Sequence, residues 1–325
     1  MKAVRVQETG SLAGLSVAET DPPALQPGEV RIAVKACGIN FADVLMVRGL
    51  YQEKPELPFI PGIEVAGEVI EIGEGVQRLK RGARVAAIVQ RGGLAEEVAV
   101  AEAMAVPIPD TVDFITAAAF PVAYGTSHMA LTHRAGLQSG ETLLVLGAGG
   151  GVGLAAVEIG KHLGARVIAA ASNSDKLDLA LTKGADEAVD YRREDLRERV
   201  KALTEGRGAD VILDPVGGRA FEASLRAITF EGRMVILGFA SGEIGQVPAN
   251  ILLVKNIAVM GLYWGAYASK RPDVLTGSME TLLGWLGEGV ARPHVSATHT
   301  LTETHLAMEA LAERQATGKV VVTMS

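Results

Sequence analysis

Gly147-Ala-Gly-Gly-Gly-Val-Gly153 follows the apolar run Thr142-Leu-Leu-Val-Leu146 and opens a stretch with apolar residues at Leu154, Ala155, Ala156, Val157, Ile159 and Leu163. Strand, glycine turn and helix in that order let backbone amides at a helix N-terminus meet a pyrophosphate with no side chain in the way. The segment therefore reads as a dinucleotide-binding turn. Gly149 and Gly151 let the turn close and phosphate approach, while Gly153 keeps the helix near its strand. Gly150 and Val152 belong to the same cofactor-facing backbone.

Outward from the turn, the pattern from about residue 118 to 262 alternates strand and helix. Candidate strands are 142–146, 166–170, 187–190, 211–214, 233–237 and 257–261, with helical segments such as 176–183 and 196–204 between them. Continuous apolar runs such as Val211-Ile-Leu213 suit parallel strands covered on both faces. Six such strands complete a doubly wound parallel sheet.

The second strand ends Ala169-Ala-Ala171 and continues into Ser172-Asn-Ser-Asp-Lys176. No carboxylate stands at the tip to take a ribose 2′-hydroxyl. Ser172 offers a hydrogen bond and Lys176 a charge for a 2′-phosphate, which points to NADPH. Arg192 and Arg193 follow the third strand, and Tyr191 is placed to cap the adenosine phosphate. The competing reading has Ser172 and Asp175 merely starting the next helix, with Lys176 solvated. Gly217, in Asp214-Pro-Val-Gly217, and Phe239, in Leu237-Gly-Phe239, end the fourth and fifth strands, where a ligand crevice lies. Their plain alternatives are a turn glycine and a core aromatic.

Residues 1–117 have a different texture. Short strand-like runs at 29–36, 65–72, 84–89 and 95–100 are separated by Pro22-Pro23, Pro27-Gly28 and Gly73-Glu-Gly75. A mostly antiparallel, barrel-like domain is expected. A helix over 302–315 and a strand over 319–323 close the chain, and that lone strand needs a host sheet. The expected organisation is a discontinuous domain of 1–117 and 266–325 around a dinucleotide domain of 118–265, with a cleft between them.

Of the 325 residues 48% are apolar and 21% charged, as in an ordinary globular protein, so disorder is excluded. A formal charge of −7 and 4% aromatic residues argue against a nucleic-acid partner. Cys37 is the only cysteine, so neither an intrachain disulfide nor a thiolate zinc cluster can form. Met1-Lys-Ala-Val-Arg-Val enters a strand pattern, not a signal-peptide core, and no apolar run reaches membrane-spanning length. A cytoplasmic enzyme with no membrane partner is expected.

Several further segments occur in one order along the chain: Ala36-Cys-Gly-Ile-Asn-Phe-Ala-Asp43, Arg48-Gly-Leu-Tyr51, Pro58-Phe-Ile-Pro-Gly-Ile-Glu-Val-Ala-Gly67, Ala123-Tyr-Gly-Thr126 and Gly318-Lys-Val-Val-Val322. With the glycine turn, they make essentially all 325 residues resemble the medium-chain dehydrogenase/reductase superfamily, specifically its zinc-free quinone oxidoreductase (zeta-crystallin-like) branch. The resemblance implies a Rossmann domain paired with a GroES-like β domain. In zinc-dependent members a cysteine shortly before the Asp43 position and the histidine of a Gly-His-Glu motif hold catalytic zinc. Here Asn40 and Ile63 occupy those places and Glu64 is retained, so no metal is assigned.

Without a Lewis acid to stabilise an alkoxide, alcohol oxidation is unattractive, whereas a quinone or activated alkene spreads the incoming charge itself. The resemblance implies reduction of such substrates by NADPH. Asn40 and Tyr51 are the candidate catalytic residues. Asn40 could bond the substrate carbonyl or the nicotinamide ribose, or simply hold its loop. Tyr51 could donate to developing oxyanion character, or pack at an edge. Thr126, after a Tyr124-Gly turn, and Lys319, on the returning segment, are assigned to the cofactor. Arg48 could neutralise an anionic substrate or pair with Asp43. Glu64 reads as an organiser of backbone and polar groups, Cys37 as a small buried residue. The aromatic run Tyr263-Trp264-Gly-Ala-Tyr267 could line the substrate or serve packing.

Two other functions remain open: an enoyl-type reductase of α,β-unsaturated carbonyls or acyl thioesters, and a non-catalytic NADPH-binding redox sensor. A homodimer through the apolar edge around 257–262 is expected.

Overall fold

The computed structural model describes residues 1–324. The chain divides into two compact units, Met1–Val122 with Met279–Gly287 and Pro293–Ser325, and Ala123–Ser278 with Glu288–Arg292.

The first unit begins with β1 (Lys2–Arg5) and β2 (Ser16–Glu19), an antiparallel pair. It continues through β3 (Glu29–Ile39), α1 (Phe41–Val47), β4 (Glu64–Ile72), β5 (Arg84–Ile88), β6 (Glu97–Ala101), β7 (Ala105–Pro107) and α2 (Phe114–Ala118). After α3 (Pro121–Met129) the second unit supplies β8 (Thr142–Leu146), α4 (Gly151–His162), β9 (Arg166–Ala171), α5 (Ser174–Thr182), β10 (Glu187–Asp190) and α6 (Leu196–Leu203). It is completed by β11 (Ala209–Asp214), α7 (Gly218–Ala227), β12 (Ile228–Ile236), α8 (Ala249–Lys255) and β13 (Ala258–Gly261). α9 (Tyr267–Lys270), α10 (Pro272–Gly287), β14 (Val295–Thr300), α11 (Thr304–Ala312) and β15 (Lys319–Thr323) follow.

The second unit is a six-stranded parallel sheet in the order β10-β9-β8-β11-β12-β13. This is a complete Rossmann sheet, and its order reverses between β8 and β11. Every residue of β8 and all but one of β11 are buried, as expected for strands with helices on both faces. Leu144, Leu146, Ile168, Ile212, Phe221 and Met234 anchor the core on one side of it.

The first unit is built around β3, whose eleven residues serve three partners. One edge pairs with β4; the other pairs with β6 over residues 29–33 and with β15 over 36–39. Burial alternates in the first half of β3 and becomes continuous in the second, where β15 replaces β6. Pairing is antiparallel throughout this sheet except for β14 and β15, which run parallel. The mostly β, GroES-like reading of this region stands, with the terminal strand hosted as expected. The terminal helix is shorter than expected at α11. A 3-10 turn precedes it, and Glu303 reaches back to Thr300, its Oε2 accepting from both the amide at 3.0 Å and the hydroxyl at 2.9 Å. Among the described residues, no helix is long and apolar enough to cross a membrane.

Candidate active site

The end of β3 carries Gly38-Ile-Asn40 straight into α1, and β15 lays Lys319 beside it. Lys319 is 5% exposed, and its Nζ donates to Ile39 O at 2.7 Å, Asn40 Oδ1 at 2.7 Å and Glu64 Oε1 at 2.6 Å. An ammonium has three donors, and all three are matched inside the protein. Glu64, on β4 and fully buried, uses its other oxygen to accept from the Val122 amide at 2.8 Å. Asn40 is half-buried, and its Nδ2 donates to Gly38 O at 3.3 Å and Glu64 Oε1 at 2.8 Å. Gly38 permits this closeness: a Cβ there would lie 2.2 Å from Ala118 O and 2.6 Å from Glu64 Oε1.

Asp43 completes the cluster from inside α1. Its two oxygens accept from the amides of Asn40 at 2.8 Å and Gly62 at 3.0 Å. The expected alternative of Arg48 pairing with Asp43 does not hold, because Asp43 is fully buried and bonded to backbone while Arg48 ends α1 exposed to solvent. Burial raises the Asp43 carboxyl to about 7, against the opposing pull of the Asn40 amide, Lys319 and the Gly62 amide. The same burial, with Asp43 and Glu64 nearby, pushes the Cys37 thiol well above its ordinary value, which fits an inert core cysteine.

A pH dependence follows from Asp43. The folded protein holds this proton more tightly than the unfolded chain, so its contribution is complete below about pH 4 and is lost as the pH rises through about 7. Its size is on the order of 4 kcal/mol. Urea unfolding of Asp43→Asn between pH 4 and 8 is expected to show a flatter stability profile than the wild type; parallel profiles would refute the assignment.

In the second unit the glycine turn joins β8 to α4 as read. Gly149 lies under the Lys176 side chain, since a Cβ at Gly149 would stand 2.5 Å from Lys176 Cβ. Ser172 follows β9 half-buried, but the helix start is made by Asn173, whose side chain accepts from the Lys176 amide at 3.0 Å. Gly217 has φ +73° and caps α7, and Phe239 packs beside it. Phe239 is exposed, not a core aromatic, and Tyr191 packs on the edge of the core at the end of β10. Thr126 is buried inside α3; the expected Tyr124-Gly turn is helical instead. Tyr51 follows α1, half-buried against the core of the first unit.

The structure thus groups Asn40 with Lys319, Gly149 with Lys176, and Gly217 with Phe239. Three features escaped the sequence reading. Asp214 Oδ1 accepts from the amides of Val216 at 2.7 Å and Gly217 at 2.9 Å, shaping the turn after β11, while buried Oδ2 has no hydrogen-bond partner among the described residues. Glu158 receives the Tyr124 hydroxyl, Lys183 at 2.8 Å and the Arg292 amide at 3.1 Å, fastening α3, α4, α5 and residues 288–292. Ser127 Oγ lies 2.8 Å from Val152 O, tying α3 to the first turn of α4. Only the Asp-Pro-Val-Gly turn motif carried a local signal for any of them.

Among the described residues, no group of three or more His, Cys, Asp or Glu side chains is placed to hold a metal ion. Residues 26–110 match the alcohol dehydrogenase GroES-like domain family, and residues 151–281 match the zinc-binding dehydrogenase family. The chain is 45% identical over 301 residues to quinone oxidoreductase-like protein 2 homolog of Nematostella vectensis, covering 92% of this chain and 82% of that protein. It superposes on the Thermus thermophilus quinone oxidoreductase, solved alone and with NADPH, with TM-score 0.87, 38% identity and full coverage of both chains. For the Escherichia coli quinone oxidoreductase complexed with NADPH the TM-score is 0.92 at 30% identity, covering 99% and 100% of the two chains. Two domain matches in order, a six-stranded Rossmann sheet and Asn40 and Ile63 at the zinc-ligand positions place the chain in the zinc-free, quinone-oxidoreductase-like branch of the medium-chain dehydrogenase/reductase superfamily.

Proposed function

We propose that the protein is an NADPH-dependent quinone oxidoreductase that works without zinc. The observation that carries this reading is the donor set around Glu64. Where zinc-dependent members present cysteine and histidine, this chain has an amide and an isoleucine, and Glu64 is engaged by Lys319. A substrate that accepts hydride unaided suits such a site. The Escherichia coli and Thermus thermophilus relatives, both described with NADPH, support the cofactor.

Bound NADPH supplies the hydride from nicotinamide C4. The chain's part is to bind, orient and exclude water. The amides of Gly149, Gly150, Gly151, Val152 and Gly153 would receive the pyrophosphate, with Ser172 and Lys176 on the 2′-phosphate and Tyr191 on the adenosine side. Gly217, Phe239 and Thr126 would flank the nicotinamide half, which Asn40 engages. Tyr51 would donate to the oxygen that gains charge.

NADPH oxidation with 1,4-benzoquinone and with an α,β-unsaturated ketone, each repeated with NADH, tests this. Turnover favouring quinone and NADPH is expected. Faster consumption of the enone would reassign the protein as an alkene reductase, and NADPH binding without turnover would make it a sensor.

We infer also that two copies pair along β13, which is the free edge of its sheet, with Ala258 and Gly261 exposed. The double variant Ala258→Lys, Met260→Lys is expected to run as a monomer in light scattering where the wild type runs as a dimer. An unchanged mass would refute this interface.

A further inference from the structure

We propose that Lys319 is a positioning residue that fixes which end of the Asn40 amide faces a ligand, so that Asn40 meets NADPH as a hydrogen-bond acceptor. The proposal rests on the NADPH reading above. An amide can turn over about its last bond, and its two orientations present opposite chemistry. Here the orientation is determined twice. Lys319 Nζ can only donate, so Asn40 Oδ1, 2.7 Å away, must face it. The Glu64 carboxylate accepts, so Asn40 Nδ2, 2.8 Å away, must face that side.

The remaining capacity of Asn40 can then be counted. Both Nδ2 hydrogens are committed, to Glu64 and to Gly38 O. Oδ1 receives Lys319, and the nearby Asp43 amide goes to the Asn40 main-chain oxygen at 3.0 Å. One lone pair of Oδ1 is left, on a half-buried side chain that solvent reaches. A ligand meeting it must bring a donor. A ribose hydroxyl or a carboxamide N–H qualifies, and a quinone carbonyl does not. Of the three roles expected for Asn40 at the outset, the cofactor contact and the holding of its own loop fit this geometry, and polarisation of the substrate carbonyl does not. Lys319 has no donor left over for a ligand of its own, so it acts through Asn40.

The test is to turn the amide over and then restore the acceptor. In the double variant Glu64→Gln, Lys319→Met no charge is stranded. The amide introduced at position 64 must keep its carbonyl on the Val122 N–H, so its NH2 faces residue 40 and Asn40 turns its oxygen toward it. The NH2 of Asn40 then stands where its oxygen stood. The Kd for NADPH, read by fluorescence titration without substrate, is expected to rise at least about tenfold. Adding Asn40→Asp returns an acceptor that the amide at position 64 can satisfy, and the Kd of the triple variant should come back to within about threefold of the wild type. A purely structural role for Lys319 would not be rescued by a change at residue 40.

A double variant that binds like the wild type, or a triple variant no better than the double, overturns the proposal. Wild-type protein that does not bind NADPH overturns the functional reading and this one with it, and is told apart by that control alone. In the wild type itself, the Asn40 side-chain NH2 resonances should stay slow to exchange and little shifted when NADPH is added. Capture of either proton by the ligand would also overturn the proposal.

Discussion

Gly153→Ala is expected to lower the unfolding free energy by about 3 kcal/mol and to abolish NADPH binding. The added Cβ would stand 2.2 Å from Gly147 O and 2.7 Å from Ala148 Cα. Both contacts are backbone, at the point where β8 turns into α4, so no side chain can swing aside. Either α4 lifts from the sheet or the turn opens, and each movement spoils the row of amides meant for the pyrophosphate. Gly150→Ala is the control, since its Cβ would meet only Gly147 O at 3.5 Å, an ordinary contact. Urea unfolding should separate the two variants sharply, and fluorescence titration of Gly153→Ala against the wild type reads the loss of NADPH binding. A Gly153→Ala protein with wild-type stability would show that the turn tolerates a side chain, and the packing argument would be withdrawn.

Lys319→Met should cost about 3–5 kcal/mol, because it strands the fully buried Glu64 carboxylate without a counter-charge. Glu64 is fully buried and Lys319 nearly so, which puts the pair beyond the screening that makes surface ion pairs weak. The informative comparison is with Glu64→Gln, Lys319→Met, which removes both charges and should recover most of the loss. A double-mutant cycle from chemical denaturation gives the coupling between them. Near-additive losses would mean that the pair is not acting as a unit.

The dinucleotide unit was largely legible in the sequence because its determinants are local. The glycine run, the apolar strands and the helices between them lie within a few residues of one another, and the parallel order follows from connection rules. What was lost there was detail. The helix expected from 176 begins at Ser174, because Asn173, and neither Ser172 nor Asp175, caps it. The strand expected from 233 begins at Ile228. Thr126 sits in a helix where a Tyr-Gly pair suggested a turn.

The cluster around Asn40 was legible only in part. A resemblance marked Asn40, Glu64 and Lys319 separately, but their mutual bonds join positions 24, 255 and 279 residues apart. No spacing rule reaches that far. The same holds for Asp43, whose burial depends on the Gly62 amide arriving from the far end of a long loop. Charge type can be read along a chain, but the number of donors already spent on neighbours can be counted only in three dimensions.

The place of β15 has a consequence for how the polypeptide is made. It lies between β14 and β3, so the sheet of the first unit lacks an inner strand until residue 323 has left the ribosome. All six strands of the parallel sheet lie between residues 142 and 261 and emerge together before that. Vectorial synthesis therefore lets the parallel sheet form while β3, made much earlier, waits with half of one edge open. A nascent chain stalled before β15 would display that edge, together with Glu64 lacking its cation, and would be a natural client for chaperones.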